Sequence, residues 1–230
     1  MSKISILIPV YNEVKYIEKC ISEVKKYCEN KFNFEIIISD NNSNDGTKSI
    51  LENIKDKNIK ILFQPTNLGK GSNLRNCFNH VTGDIIIIQD ADLEYSPENY
   101  DDLLQPIFND RADVVYGNRF AKAKPFHVYS LIHLLANRIV TYVINILFNR
   151  SFDDVLTGYK VFKSSIIKNH DFNSNNFDID AELSVFFCKN RSLRVYEVPI
   201  SIYSRNYSEG KKIKLRHLFI LIYTLFKYRF

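Results

Sequence analysis

The chain has 230 residues, 45% apolar, 25% charged and 13% aromatic, with a formal net charge of +5. That balance excludes disordered and collagen-like chains, and the length is enough to bury one large core. Cys20, Cys28, Cys77 and Cys188 have neither metal-ligand spacing nor a CxxC pair, so they read as buried, reduced thiols of a cytosolic protein.

Strand and helix patterns alternate through the first half. Lys3–Val10 is a short β-branched apolar run bounded by Pro9 and predicts a buried strand. Residues 13–28 place Val14, Ile17, Ile21 and Val24 at helical spacing. Residues 34–39 predict a second buried strand, which ends in the polar turn cluster Asp40 to Gly46. A short helix follows over 47–54, and a third strand over Ile59–Phe63. Pro65 to Gly71 reads as a loop, and a helix runs on through His80. Residues 84–89 (DIIIIQ) predict the fourth strand, Pro97 suits the first turn of a helix, and 113–116 is a fifth strand ended by Gly117. Only seven glycines occur, so each is expected at a turn or a close backbone approach.

This alternation implies βαβ units and a mostly parallel sheet with helices on both faces. Ligands in such sheets bind beyond the carboxyl ends of the strands. Four polar clusters stand at those ends: Tyr11-Asn12-Glu13, Asp40 to Asp45, Asp90-Ala91-Asp92 and Asn118-Arg119. One shared site explains them better than four unrelated loops.

The second half is less regular. Leu131–Phe148 is a long helical pattern with Asn137, Thr141 and Asn145 on one face. Residues 155–162 read as a turn then a strand, 177–189 as a helix, 193–198 as a strand, and 217–230 as an apolar end with basic residues on both sides. Without a repeat or linker, the chain reads as one domain over 1–212 with an amphipathic helical extension over 213–230. No signal peptide is expected, since Ile4 to Val10 is short and lacks a cleavage site. No window reaches ~18 uninterrupted apolar residues.

Asp90 and Asp92 follow a buried strand directly, so both carboxylates stand where the chain leaves the sheet, with Glu94 two residues on. Hard oxygen donors in this arrangement suit Mg²⁺ or Mn²⁺ bridging to substrate phosphates; a solvated acidic turn is the plainer alternative. Tyr11 offers a ring for a nucleobase and Glu13 stands near a helix start, against simple capping by Asn12. Asp40 can accept from a base or close an Asx-turn. Lys70 and Arg75, near a helix start, can meet anionic groups or form an exposed cap. Neither a P-loop nor GxGxxG is present, which argues against a dinucleotide cofactor.

PVYNE, SDNNSNDGT, NLGKGSNLR, QDADLEYSPE and GNRF, in this order, resemble glycosyltransferase family 2 with its GT-A, Rossmann-like fold. Thr157 to Phe162 (TGYKVF), Glu197-Val198-Pro199-Ile200, Ser204-Arg205 and Glu209 to Ile213 resemble its dolichol-phosphate mannose synthase-like, polyprenyl-phosphate branch. The resemblance implies that Pro9, Tyr11, Glu13 and Asp40, with Lys70 and Asp90, bind a UDP- or GDP-sugar donor. It implies Asp90, Asp92 and Glu94 as metal ligands, although relatives often carry Gln at the last position. Arg205 and Lys211 would close over the diphosphate, and Arg119 and Arg138 would bind the phosphate of a polyprenyl-phosphate acceptor. Asp92 and Arg119, with Asp180 as a candidate base, are expected to form the catalytic set.

A metal with Arg and Lys stabilises the charge of a departing diphosphate. A phosphate acceptor is already ionised and needs no protein base. A glycan hydroxyl would need one, with Asp153, Asp154 or Asp180 as candidates, Glu182 standing close by, and capping or solvation as the bland alternative. Single displacement by either acceptor inverts the anomeric centre.

Lys211, Lys212, Lys214 and Arg216 precede the apolar stretch 218–226, and Lys227 and Arg229 close it. That stretch, and Leu131–Phe148, fit a membrane interface or packing on the core or a second copy. Many relatives continue into transmembrane helices, so association at the inner face of a membrane is expected to be peripheral here. Two other readings compete. A nucleotidyltransferase would open with a glycine-rich loop that PVYNEV lacks, and a non-catalytic membrane-surface or nucleic-acid-binding module would not need Asp90-Ala91-Asp92. No nucleic-acid partner is expected, and an oligomer is compatible with the sequence.

Overall fold

Isoleucine-rich runs buried on both faces set the centre of the molecule. In the computed structural model, which describes residues 2–121, 131–203 and 216–230, β1 (Lys3–Val10), β2 (Asn33–Asp40) and β4 (Ile85–Ile88) lie side by side and parallel. Alternate residues of β1 feed two cores. Ile4, Ile6 and Ile8 pack under α1 (Ile17–Cys28) and α4 (Tyr100–Phe108). Leu7 packs on the other face with α3 (Lys70–Phe78), α5 (Leu131–Phe148), α6 (Ile179–Lys189) and α7 (Arg216–Arg229). The remaining elements are α2 (Thr47–Glu52), β3 (Ile59–Phe63), β5 (Val114–Asn118), β6 (Lys160–Lys163) and β7 (Val195–Pro199).

The sheet order is β3-β2-β1-β4-β6-β5-β7. Winding reverses between β1 and β4, and that reversal opens a crevice at their carboxyl ends. β6 is inserted antiparallel between β4 and β5, so its first residue, Lys160, arrives at the same rim. The expected mostly parallel sheet with helices on both faces and a terminal helix is present. The 212/213 division falls outside the described residues, and α7 packs against α5 and α6 with Leu221 and Leu225 buried.

Several boundaries differ from the sequence reading. α1 starts at Ile17, not 13, and no side chain caps it. The backbone N–H groups of Asn12, Glu13 and Val14 donate instead to Ser43 Oγ, Thr47 Oγ1 and Asp45 Oδ2. Asn12, in the left-handed region at φ 55°, also exchanges amide hydrogen bonds with Asn44. Those bonds tie the loop after β1 to the loop after β2, and the helix begins only when they are complete.

α5 occupies the expected range, and its polar row faces inward. Asn137 and Thr141 are buried, and Asn145 exchanges hydrogen bonds with the backbone of Phe152. By length and composition α5 is one helix that suffices to cross a bilayer, which the reading of uninterrupted apolar windows did not register. One face of it is nevertheless built into the protein through Val140, Ile144 and Phe148. The four cysteines are all free and buried.

At the amino end of the sheet, Glu35 accepts from Lys3 Nζ (2.8 Å), Ser5 Oγ (2.5 Å), and the Thr82 N–H (2.8 Å) and hydroxyl (2.7 Å). This clasp joins the starts of β1 and β2 to the turn that leads into β4.

Candidate active site

A pocket of about 410 Å³ opens beyond the carboxyl ends of β1, β4 and β5 and is walled by the start of α3. Tyr11, Glu13, Asn41, Asp90, Asp92, Lys70 and Arg119 all line it, so each of the four polar clusters contributes a residue. Pro9, Glu94 and Asp180 line it as well.

Asn73, on α3, fixes the floor. Its amide donates to Val10 O and Ser39 O, and its oxygen accepts from Ser39 Oγ and Gln64 Nε2. A fully satisfied buried amide rigidifies the backbone it touches, here the carboxyl ends of β1 and β2.

The acidic loop is held from below by Gln89. Its Nε2 donates to Asp90 O and Tyr95 O, and its Oε1 accepts from the Tyr100 and Tyr159 hydroxyls. Leu93 adopts φ 62°, uncommon for a bulky residue, and the Asp92 carboxylate accepts the Glu94 N–H at 3.1 Å. Strain of this kind persists where the surroundings over-determine a loop.

Lys70 links two acids. Its Nζ lies 3.0 Å from Asp90 Oδ1 and 3.5 Å from Asp180 Oδ2, and the buried Lys160 Nζ lies 2.9 Å from Asp180 Oδ1. Burial pushes the Asp180 carboxyl up, but Lys160 and Lys70 outweigh it and hold it below the usual aspartate range. Burial would likewise lower Lys70, but Asp180 and Asp90 outweigh that and hold it above its ordinary range.

Arg119 reaches the pocket from the end of β5. Its Nε and Nη2 grip Asp154 at 2.7 Å each, and Asp154 is fully buried. Arg138 does not line the pocket. It sits 5.0 Å from the Phe120 ring, whose centroid is 5.6 Å from Arg119, and donates to Asp153 O at 3.2 Å.

The other acids read as possible bases separate cleanly. Asp154 is committed to Arg119, Glu182 accepts the N–H groups of Asn173 and Ser174, and Asp153 is outside the pocket lining. Asp180 alone among those four lines the pocket. Asp40 is wholly buried at the end of β2 and does not line it; Asn41 does. Asp40 Oδ2 closes a turn on the Ser43 N–H, while Oδ1 has no hydrogen-bond partner among the described residues. Arg75 is bound to Ser174 O and Asn175 Oδ1. Arg205 and Lys211 lie outside the described residues.

Among the described residues no three Asp, Glu, His or Cys side chains converge as a metal cluster, so the triad of Asp90, Asp92 and Glu94 is not assembled. Two carboxylates still suit a hard cation, because Mg²⁺ commonly takes only one or two protein carboxylates and completes its shell with phosphate and water. Gly158 makes room for the Asp90 carboxylate: a β-carbon there would overlap Asp90 Oδ2 and stand 2.9 Å from the Tyr95 ring.

Sequence reasoning missed Asn73 and Gln89 as builders of the site, and within the Asp40 to Asp45 cluster it singled out Asp40 where Asn41 lines the pocket. The scarcity of glycine was a usable signal for Gly158, and the quoted TGYK segment one for Lys160.

The sheet order, antiparallel β6 and rim pocket define a GT-A fold. Glucosyl-3-phosphoglycerate synthase from Mycobacterium tuberculosis superposes with a TM-score of 0.75 at 17% identity, covering 99% of this chain and 80% of that one. Mannosyl-3-phosphoglycerate synthase from Rubrobacter xylanophilus gives 0.75 at 15% identity, covering 99% of this chain and 72% of that one. Residues 5–171 match the profile of Glycosyl transferase family 2, and the chain belongs to that family. Dolichol-phosphate mannosyltransferase of Pyrococcus furiosus is 26% identical over 96% of this chain and 64% of its own length. Glycosyltransferase AglJ of Haloferax volcanii is 28% identical over 88% of this chain and 63% of its own length. The chain therefore spans less than two thirds of these relatives.

Proposed function

We propose that the protein transfers a sugar from a UDP- or GDP-sugar to a polyprenyl phosphate, with inversion, at the inner surface of a membrane. The observation that carries this reading is the convergence of Glu13, Asp90, Asp92 and Arg119 on one pocket at the sheet's reversal point. Relatives point the same way, since one is named for transfer to dolichol phosphate and another for undecaprenyl phosphate. The M. tuberculosis synthase was crystallised with Mn²⁺ and UDP.

The nucleoside would lie along Pro9, Tyr11 and Glu13. Asp90 and Asp92 would hold Mg²⁺ or Mn²⁺ against the diphosphate, with Glu94 beside them. When bound, that cation would neutralise charge building on the departing nucleotide. Lys70, already between Asp90 and Asp180, adds a fixed positive charge on the same side. Arg205 and Lys211 complete this reading as closing groups.

Arg119 would receive the acceptor phosphate, with Arg138 beyond Phe120 on its approach. The state of Asp180 favours a phosphate: a carboxylate neutralised by two lysines is a weak proton acceptor, and a phosphate oxyanion needs none. A second reading, transfer to a glycan hydroxyl, draws on the fact that Asp180 does line the pocket.

Lipid access is supported by α5 and α7, which pack together and expose Leu135, Ile139 and Tyr142 on one and Phe219, Tyr223 and Phe226 on the other. Lys227 and Arg229 stand near anionic headgroups in this picture.

The test is nucleotide release from a panel of UDP- and GDP-sugars with undecaprenyl phosphate, dolichyl phosphate or oligosaccharides. Release that depends on the lipid phosphate and disappears in Asp92→Ala with the fold intact supports the proposal. Release only with saccharides moves the function to the second reading. Absence of any metal-dependent nucleotide affinity by calorimetry would leave a binding module.

A further inference from the structure

Glu197 opens the Glu197-Val198-Pro199-Ile200 segment on β7, and nothing in the reaction outlined above uses it. It does not line the pocket. Its carboxylate is engaged by two successive backbone groups: the Asp153 N–H donates to Oε2 at 2.9 Å and the Asp154 N–H to Oε1 at 2.8 Å. Each oxygen takes one N–H, so the peptide planes of the 153–154 turn are fixed in both position and tilt.

That turn presents the Asp154 side chain. Its two oxygens accept four donors: Arg119 Nε and Nη2 at 2.7 Å, the Arg119 N–H at 3.0 Å and Asn137 Nδ2 at 3.0 Å. A carboxylate offers about four lone-pair sites, so Asp154 is saturated. The two-point grip on the guanidinium fixes its plane as well as its distance. The chain of contacts therefore runs from β7, through the 153–154 turn, to the plane of Arg119 in the pocket.

The arrangement is costly without such a purpose. Glu197 puts a second carboxylate beside Asp154 and Asp153, and like charges this close oppose one another. A neutral amide would have to take both N–H groups on its single oxygen, whereas the carboxylate gives each an oxygen of its own.

We infer that Glu197 is a positioning residue for acceptor binding: through the 153–154 turn and Asp154 it holds Arg119 in the orientation that meets a lipid phosphate. This rests on the reading of Arg119 as the acceptor-phosphate contact. Glu197→Gln keeps the shape but sets an NH₂ group against one of the two N–H donors, so the turn must tilt.

The experiment measures the affinity of the full chain for farnesyl phosphate, a soluble polyprenyl phosphate, by calorimetry. Glu197→Gln, Arg119→Ala and the double variant are compared with the parent, with Mn²⁺-dependent affinity for UDP and GDP as the internal control. Glu197→Gln is expected to weaken farnesyl phosphate binding about ten-fold, to leave nucleotide affinity unchanged, and to add nothing once Arg119 is alanine. Additive losses in the double variant, or equal weakening of farnesyl phosphate and nucleotide, would mark a merely structural role and overturn the inference. Parental affinity in Glu197→Gln with weakened binding in Arg119→Ala also overturns it, while leaving the acceptor reading intact. Parental affinity in Arg119→Ala removes the acceptor reading itself. If Glu197→Gln does not fold, Glu197→Asp keeps the charge and draws it back by one methylene; weakened binding supports the inference and parental binding overturns it.

Discussion

Gly158 lies against the Asp90 carboxylate so closely that a β-carbon on it would overlap Oδ2, with the Tyr95 ring 2.9 Å away on another side. The Gly158 N–H donates to the Tyr95 hydroxyl at 2.8 Å, so the backbone there has little freedom to retreat. Asp90 must give way instead. Gly158→Ala is therefore expected to displace the Asp90 carboxylate at a stability cost of about 1–3 kcal/mol, typical of overpacking. Mn²⁺-dependent nucleotide affinity, read by calorimetry, should fall at least about ten-fold as one carboxylate leaves its place. Parental affinity would separate Asp90 from cation binding.

The Lys160–Asp180 pair is buried in the same wall. Taking one partner from a buried pair leaves an uncompensated charge, which costs about 3–5 kcal/mol, whereas replacing both by apolar groups is often near neutral. Lys70 stays 3.5 Å from Asp180, so Lys160→Met is expected to cost less than a full unpairing, about 1–3 kcal/mol, in urea denaturation. Lys160→Met with Asp180→Leu is expected to recover most of it, with Lys70 retaining Asp90. A double variant as unstable as the single one would show that the pair is not the source of the cost.

How far the site was readable from sequence follows from which of its contacts are local. Asp90-Ala91-Asp92 was legible because an apolar run ends at Ile88 and two acids follow, a pattern with one placement in a parallel sheet. Pro9, Tyr11 and Glu13 were legible for the same reason. The grip of Asp154 on Arg119 spans 35 residues and that of Lys160 on Asp180 spans 20, and neither leaves a period in the chain. The antiparallel course of β6 was equally hidden, because four residues, Lys160–Lys163, carry no mark of direction. The late start of α1 was missed because three N–H groups go to partners about thirty residues away, which apolar spacing does not report. The glycosyltransferase resemblance assigns expected roles to these residues and supplies none of the geometry.

Glu35 gives the fold a pH dependence that can be isolated. Burial pushes its carboxyl up, but hydrogen bonds from Lys3, Ser5 and Thr82 outweigh this and bring it to about 2, from an ordinary value of 4.5. A folded-state value below the unfolded one means the contribution is fully present above pH 4.5 and is lost as pH falls towards 2. Discounted for partial exposure, it amounts to about 2 kcal/mol at neutral pH. Glu35→Gln is expected to be less stable than the parent by that amount at neutral pH, and the gap should close in acid. Urea denaturation of both proteins at matched pH values checks it, since the other carboxylates are common to both. A gap that stays constant into acid would assign the clasp to shape and not to charge.

The outward faces of α5 and α7 make the last expectation. Tyr142 is 67% exposed on α5, and Phe219 and Tyr223 are 73% and 68% exposed on α7, so under the lipid-surface reading proposed above these side chains would enter the interface. Interfacial insertion gains from each buried apolar side chain, roughly 1.5–3 kcal/mol apiece at full burial. A glutamate at such a position loses that gain and adds repulsion from anionic lipid. Ile139→Glu with Tyr223→Glu is thus expected to lower partition onto phosphatidylglycerol vesicles at least about ten-fold, as followed by co-sedimentation. The melting temperature should stay near the parent's, because both side chains already face out. Nucleotide affinity should also hold, while turnover on vesicle-embedded lipid phosphate falls with partition and turnover on soluble farnesyl phosphate does not. Undiminished vesicle binding would turn attention from a lipid surface to a second copy of the chain as the cover for these helices.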